Sequence, residues 1–335
     1  MSIRILLYIA LSAGVYSCKK DKKQPEPSPA LPSAGYSFTC EDTTLDWSPL
    51  EFDADFGQVI QYYGKWSVWR TMYDPNDPNI IYYLTKEQIG PYHDLWRYDR
   101  NTNIKTHLAQ NVLNNLDISC KGWVAFENIS EIYKIKSNGD SLTQVSYNGG
   151  GWPTWSEDGK HIFFLGHSAS QVYKHNHVSN KIVDTIDNMY SGVAVYKNDI
   201  FYYTYSQATE IGSIVKRNMN DNSITTIVSR GGSDDDTGEN IGRWFIDNSG
   251  KNLYWSGEHG LSVTNLTTFQ TKRVINSGRG SHTWFYYFNK SPKNGQIIAT
   301  CAFYSVVNTL LMDVKNYTWE FSADGKCRRK IELPD

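Results

Sequence analysis

A short strand, turn and strand grammar that returns along the chain constrains this sequence more than any other feature. Its clearest copy runs from Gly151 to Ile186. Trp152-Pro153-Thr154-Trp155 reads as a first strand and His161-Ile162-Phe163-Phe164-Leu165 as a second. Between them Asp158-Gly159 makes a tight turn in which glycine accepts a positive φ. Gln171-Val172-Tyr173-Lys174-His175 supplies a third strand and Lys181-Ile182-Val183-Asp184-Thr185-Ile186 a fourth.

The grammar recurs. Trp244-Phe245-Ile246 and Leu253-Tyr254-Trp255 flank a turn at Ser249-Gly250, followed by strands at Gly260–Thr264 and Thr271–Ile275. Val68–Asp74 with Asn79–Leu84, completed by Asp94–Asp99 and Ile104–Leu108, is another copy, and Phe285–Asn289 with Gln296–Thr300 begins one more. Two are eroded: Leu116–Phe126 followed by Glu131–Ile135, and Gly192–Tyr196 followed by Asp199–Tyr203. Their turns, at Asp74, Lys121, Asp158, Asn198, Ser249 and Pro292, fall roughly 35 to 50 residues apart, the period of propeller blades. A lone four-stranded unit cannot bury both of its faces, whereas a closed ring of such units can. The expected class is therefore all-β, a β-propeller of six blades with seven as the alternative. Ile162, Phe164, Ile81, Tyr83, Leu253 and Trp255 are the expected filling between blades. Whether Leu45-Asp46-Trp47 adds a strand to the last blade stays open.

Trp155-Ser156-Glu157-Asp158-Gly159-Lys160-His161-Ile162-Phe163-Phe164 resembles the W-S-P-D-G-K-x-I-x-F signature of TolB-like propeller repeats, with Glu157 in place of the usual proline. Glu131 to Val145 resembles the outer-strand pattern of that family. The resemblance covers most of residues 50 to 333 and lacks the amino-terminal domain that accompanies the propeller in TolB. It implies a scaffold that binds a partner. Oligogalacturonate lyases resemble the same repeat family, which implies an alternative: a metal-dependent polysaccharide lyase.

The amino terminus reads as a targeting segment: Arg4, an apolar run from Ile5 to Leu11, then Ser12-Ala13-Gly14. Val15-Tyr16-Ser17-Cys18 resembles the cleavage site of bacterial lipoproteins in its relaxed Bacteroidetes form, which implies lipidation of Cys18. Residues 1–17 are then a signal peptide. Residues 18–44, charged and proline-rich, are a flexible tether, and residues 45–335 the propeller. With Lys19 after the cysteine, the resemblance implies the outer membrane, on its periplasmic or its external face, and no transmembrane helix in the mature protein. Cys40, Cys120, Cys301 and Cys327 can pair in an oxidising compartment and show no metal-type spacing.

Charge argues against nucleic acid, since 33 basic residues face 35 acidic ones. The expected partner is an envelope protein or a glycan. Aromatic residues offered as ligand contacts, in loops between strands, are Trp66, Tyr92, Trp152, Tyr190 and Trp284, whose planes match the C–H faces of sugars. Asp234-Asp235-Asp236, with Glu239, reads as a solvated acidic loop, with oxygen ligation of Ca²⁺ as the alternative. His175 and His177 read as two exposed polar residues before a turn, with a shared divalent metal as the alternative. No cofactor is expected beyond such a cation. There is no G-x-S-x-G elbow and no phosphate-cradling glycine loop, so no catalytic residue is assigned.

Overall fold

A computed structural model describes residues 67–86, 92–167, 171–187, 191–231, 241–257, 260–276, 283–308 and 311–334. Those residues are all-β, with no helix among them, and hence none long and apolar enough to cross a membrane. In chain order the strands are β1 (Ser67–Tyr73), β2 (Ile80–Lys86), β3 (His93–Asp99), β4 (Ile104–Ile118), β5 (Trp123–Asn128), β6 (Glu131–Lys136) and β7 (Thr143–Gln144). Next come β8 (Gly151–Trp155), β9 (His161–Leu165), β10 (Gln171–Asn176), β11 (Lys181–Asp187), β12 (Ser191–Tyr196), β13 (Asp199–Ser206), β14 (Ile211–Asn218) and β15 (Ile224–Gly231). The remainder are β16 (Trp244–Ile246), β17 (Asn252–Gly257), β18 (Gly260–Asn265), β19 (Thr271–Asn276), β20 (Thr283–Lys290), β21 (Ile297–Asn308), β22 (Leu311–Phe321) and β23 (Arg328–Ile331).

Strands pair only with their neighbours in sequence, always antiparallel, in one seven-stranded sheet, β1 to β7, and four of four strands. The seven-stranded sheet holds two units joined by β4. The stretches expected at Ile104–Leu108 and Leu116–Phe126 are not separated by a loop: β4 runs through, outermost against β3 and then innermost against β5, with a register shift between Val112 and Leu116. The shift lets one strand change partners and direction of packing.

Alternation of side chains along each second strand decides how the sheets associate. Ile162 and Phe164 face back to Ala125, Ile132 and Val145, while Phe163 and Leu165 face forward to Val195, Ile200 and Tyr202. Leu253 and Trp255 pack on Phe201 and Ile214, whereas Tyr254 packs with Phe288, Ile297 and Phe321. Tyr82 and Leu84 join Leu116, Val124 and Phe126. Ile81 and Tyr83 join Ile298, which brings the last sheet against the first and closes the ring. Burying one such large apolar side chain is worth about 1.5–3 kcal/mol, so these interfaces supply the main driving force for association.

Among the described residues β1 and β23 lie in different sheets, and the first and last sheets meet through side chains. Glu320, at 0% exposure, is held by Tyr73, Arg100 and Arg329. Thr71 and Thr300 share a hydrogen bond of 3.2 Å, and the Tyr73 backbone N–H donates to Asn289 Oδ1 at 3.1 Å. Leu45-Asp46-Trp47 lies outside the described residues. Cys120 and Cys327 are each engaged in a disulfide, as an oxidising compartment permits.

The signature turn has a definite chemistry. Ser156 Oγ donates to Asp158 Oδ1 at 2.7 Å, that carboxylate accepts from the Lys160 N–H at 3.0 Å, and Gly159 takes φ +65°. Burial works against the ionised Asp158, but the Ser156 and Lys160 donors outweigh it and hold the carboxyl below its usual range. Ser322-Ala323-Asp324-Gly325-Lys326 repeats the arrangement between β22 and β23, with Ser322 Oγ on Asp324 Oδ1 at 2.6 Å. At Asp247-Asn248-Ser249-Gly250 the two side chains trade places and Ser249 Oγ donates to Asp247 Oδ1 at 2.7 Å.

Candidate binding site at the ring axis

The first strands of successive sheets meet one another, β20 with β1, β8 with β4 and β12, and β12 with β16. They therefore surround the axis. Three of these first-strand segments carry charged or polar residues in otherwise apolar runs: Arg70 on β1, Asn114, Asn115 and Asp117 on β4, and Tyr287 on β20. Arg243, immediately before β16, joins them.

Arg70 Nη1 donates to the Asn114 carbonyl at 2.6 Å, which fixes its head. The Arg70 guanidinium stands 5.0 Å from the centre of the Tyr287 ring, and that of Arg243 stands at the same 5.0 Å. Arg243 Nη2 also donates to Tyr287 Oη at 3.2 Å. Burial pulls the Arg70 pKa down to about 10; Tyr287 and Asp117 oppose this and the like charge of Arg243 adds to it. Arg70 Nε and Asn114 Oδ1 are buried atoms with no hydrogen-bond partner. Among the described residues neither Arg70 nor Arg243 has a carboxylate within ion-pair distance.

Asp117 is engaged elsewhere. Its Oδ2 accepts from the Trp155 N–H at 2.7 Å and from Thr154 Oγ1 at 3.2 Å, and its Oδ1 from the Ile118 N–H at 2.9 Å. Burial nevertheless raises its pKa, as it does for Glu127, which accepts from Asn115 Nδ2 at 2.8 Å. The axis thus combines two guanidiniums and one carboxylate, on strands or, for Arg243, at the residue before one, with polar atoms left over.

A second polar cluster lies between β6 and β10. His175 is 1% exposed, and the His177 ring sits 5.6 Å from Trp123 and 5.5 Å from Trp155. Lys134 donates to the His177 carbonyl and to Asn180 Oδ1. Burial, with the nearby Lys134 charge second, lowers both histidines to about 4, so both are neutral at pH 7. The sequence reading of His175 as an exposed polar residue is corrected: two residues on from Tyr173 in β10, it shares that residue's face and lies in the sheet interface. Among the described residues no group of three or more His, Cys, Asp or Glu is placed to hold a metal ion.

The other residues singled out from sequence are dispersed. Asp158 and Gly159 form the turn between β8 and β9, and Ser249 and Gly250 the turn between β16 and β17. Tyr92 is exposed at 43%, just before β3. Trp152 and Trp284 lie in strands, β8 and β20, rather than in loops; Trp152 packs partly against the core around Phe163. Cys18, Trp66, Tyr190, Asp234 and Asp236 lie outside the described residues. Arg70, Asp117, Arg243 and Tyr287 were missed. The available signal was a charge inside an apolar first strand, as in Val68-Trp69-Arg70-Thr71-Met72, because a charge in such a run needs a partner or an opening.

Known structures share this architecture. The β-propeller domain of the Trilobed protease from Pyrococcus furiosus, described as having an open velcro topology, aligns with a TM-score of 0.53 and 11% identity over 81% of this chain and 100% of its own. An oligogalacturonate lyase in complex with manganese aligns at 0.51 with 7% identity, over 79% and 76% of the two chains. TolB from Acinetobacter baumannii aligns more loosely, at 0.40 with 11% identity, over 80% and 54%. At these identities the likeness concerns the β-propeller fold alone. No family model and no curated protein matches the sequence.

Proposed function

We propose that this β-propeller is a non-catalytic binding scaffold of the bacterial envelope, built of six blades over residues 45–335 and anchored to the outer membrane through Cys18 and the 18–44 tether. It holds an envelope protein or a glycan. The observation that carries this reading is the convergence at the axis of polar side chains from four units, Arg70, Asn114, Arg243 and Tyr287, on or directly beside strands locked by core packing. Rigid strands present such groups at little entropic cost on binding, which is what a recognition surface requires. The lipoprotein-like amino terminus and the disulfide-bonded Cys120 and Cys327 support an exported protein.

A pull-down from envelope extract with the full chain is expected to return a stoichiometric protein partner, or retention on a glycan array. Incubation with acidic and neutral glycans, with and without added divalent metal, tests the lyase alternative. Metal-dependent formation of unsaturated products would overturn the non-catalytic reading. Replacing Cys18→Ser is expected to release the protein from the membrane fraction, and unchanged retention would remove the anchor.

A further inference from the structure

We infer that the Arg70–Tyr287–Arg243 cluster at the ring axis is a binding site for a small organic monocarboxylate, such as a hydroxycarboxylate. This deepens the reading of the protein as a binding scaffold and rests on it. Each guanidinium lies 5.0 Å from the same ring centre, so the two can be no farther apart than twice that distance. Two like charges held so close repel each other, and the described residues offer them hydrogen bonds and a ring face but no carboxylate at ion-pair distance. A resident anion removes that imbalance.

The unmet hydrogen-bonding capacity specifies the ligand further. Arg70 is held by the Asn114 carbonyl through Nη1, which leaves its Nε buried and unpaired. A guanidinium fork presents donors in the geometry that a carboxylate accepts in pairs. Asn114 Oδ1, also buried and unpaired, asks for a donor, which a hydroxyl beside the carboxylate supplies. One guanidinium edge and one unpaired acceptor beside it are matched by a single carboxylate carrying a neighbouring hydroxyl.

The test titrates sodium lactate into the full chain, with sodium chloride at equal ionic strength as the baseline and inorganic phosphate as an anion without a carboxylate. Calorimetry or ligand-observed NMR reads binding, and near-UV circular dichroism confirms the fold of each variant. Saturable lactate binding is expected, weakened at least about tenfold by Arg243→Gln. Tyr287→Phe, which keeps both guanidiniums and the ring, is expected to weaken it by less. Arg70→Gln should behave as Arg243→Gln if it folds, and Arg243→Gln alone decides the matter if it does not. Absence of lactate binding above the chloride baseline, or equal binding by Arg243→Gln, overturns the site. Tighter binding of phosphate than of lactate overturns the monocarboxylate assignment. A protein that captures an envelope partner but not lactate keeps the scaffold reading and rejects this one, so the two fail separately.

Discussion

Tyr73 Oη donates to Glu320 Oε1 at 2.6 Å, a bond between residues 247 positions apart that ties the first sheet to the last. Glu320 is fully buried and also meets Arg100 at 2.7 Å and Arg329 at 2.6 Å, so a charged cluster joins the first and last sheets at the seam. Burial, reinforced by the Glu320 charge, pushes the Tyr73 phenol well above its usual pKa, so it stays a donor throughout the physiological range.

Removing one side of that cluster has graded consequences. Tyr73→Phe deletes one charge-assisted bond and is expected to cost about 1.5–3 kcal/mol. Glu320→Ala strands two arginines at a buried seam and is expected to cost about 3–5 kcal/mol. Urea unfolding of the two variants checks the order, and equal losses would show that the seam does not depend on the carboxylate.

Gly250 and Gly139 separate backbone strain from collision. Both have positive φ, +63° and +92°. A Cβ on Gly250 would stand 2.0 Å from Tyr196 Cε1, whereas one on Gly139 would meet only Leu108 Cδ2 at 3.8 Å. Gly139→Ala is expected to cost about 1–2 kcal/mol from φ alone. Gly250→Ala is expected to cost about 1–3 kcal/mol more, since a ring must move. Thermal unfolding midpoints should fall in that order.

His175 and His177 set an acid limit on stability. Both titrate at about 4 in the folded protein against an ordinary 6.5, so the unfolded chain binds more protons between those values. Their contribution is complete above pH 6.5 and is lost as pH falls towards 4. His175→Phe, which cannot be protonated, is expected to flatten that part of the stability profile. A profile of unchanged slope in chemical denaturation between these pH values would contradict the buried neutral imidazole.

Asp117 acts in the opposite sense. Burial raises its folded pKa above 3.8, so folding favours the protonated form and stability declines as pH rises through that region. Asp117→Asn removes this slope. Because the carboxylate accepts from the N–H groups of Ile118 and Trp155 through different oxygens, the amide leaves one of them without an acceptor, at a cost of about 1–3 kcal/mol. Denaturation curves at two pH values give both quantities.

Local chemistry was enough to read much of this fold from the sequence. The strand at His161–Leu165 was placed to the residue, and the Asp158-Gly159 and Ser249-Gly250 turns follow from side-chain bonds that span a few residues. The inter-blade packing of Ile81, Ile162 and Leu253 follows from a period of two. Four outer strands, β14, β15, β22 and β23, went unread although Ser322-Ala323-Asp324-Gly325-Lys326 spells the same turn. The continuity of β4 also escaped, because its bulge shows only when both partners are in place.

The sequence by itself determined a repeating all-β unit, because alternation and turn chemistry are properties of neighbouring residues. Tertiary structure alone decided what lies at the seam and the axis. Tyr73 and Glu320, like Arg70, Arg243 and Tyr287, are far apart in the chain and carry no shared local pattern. Only closure of the ring, driven by apolar faces that a single unit cannot bury, brings those charges together.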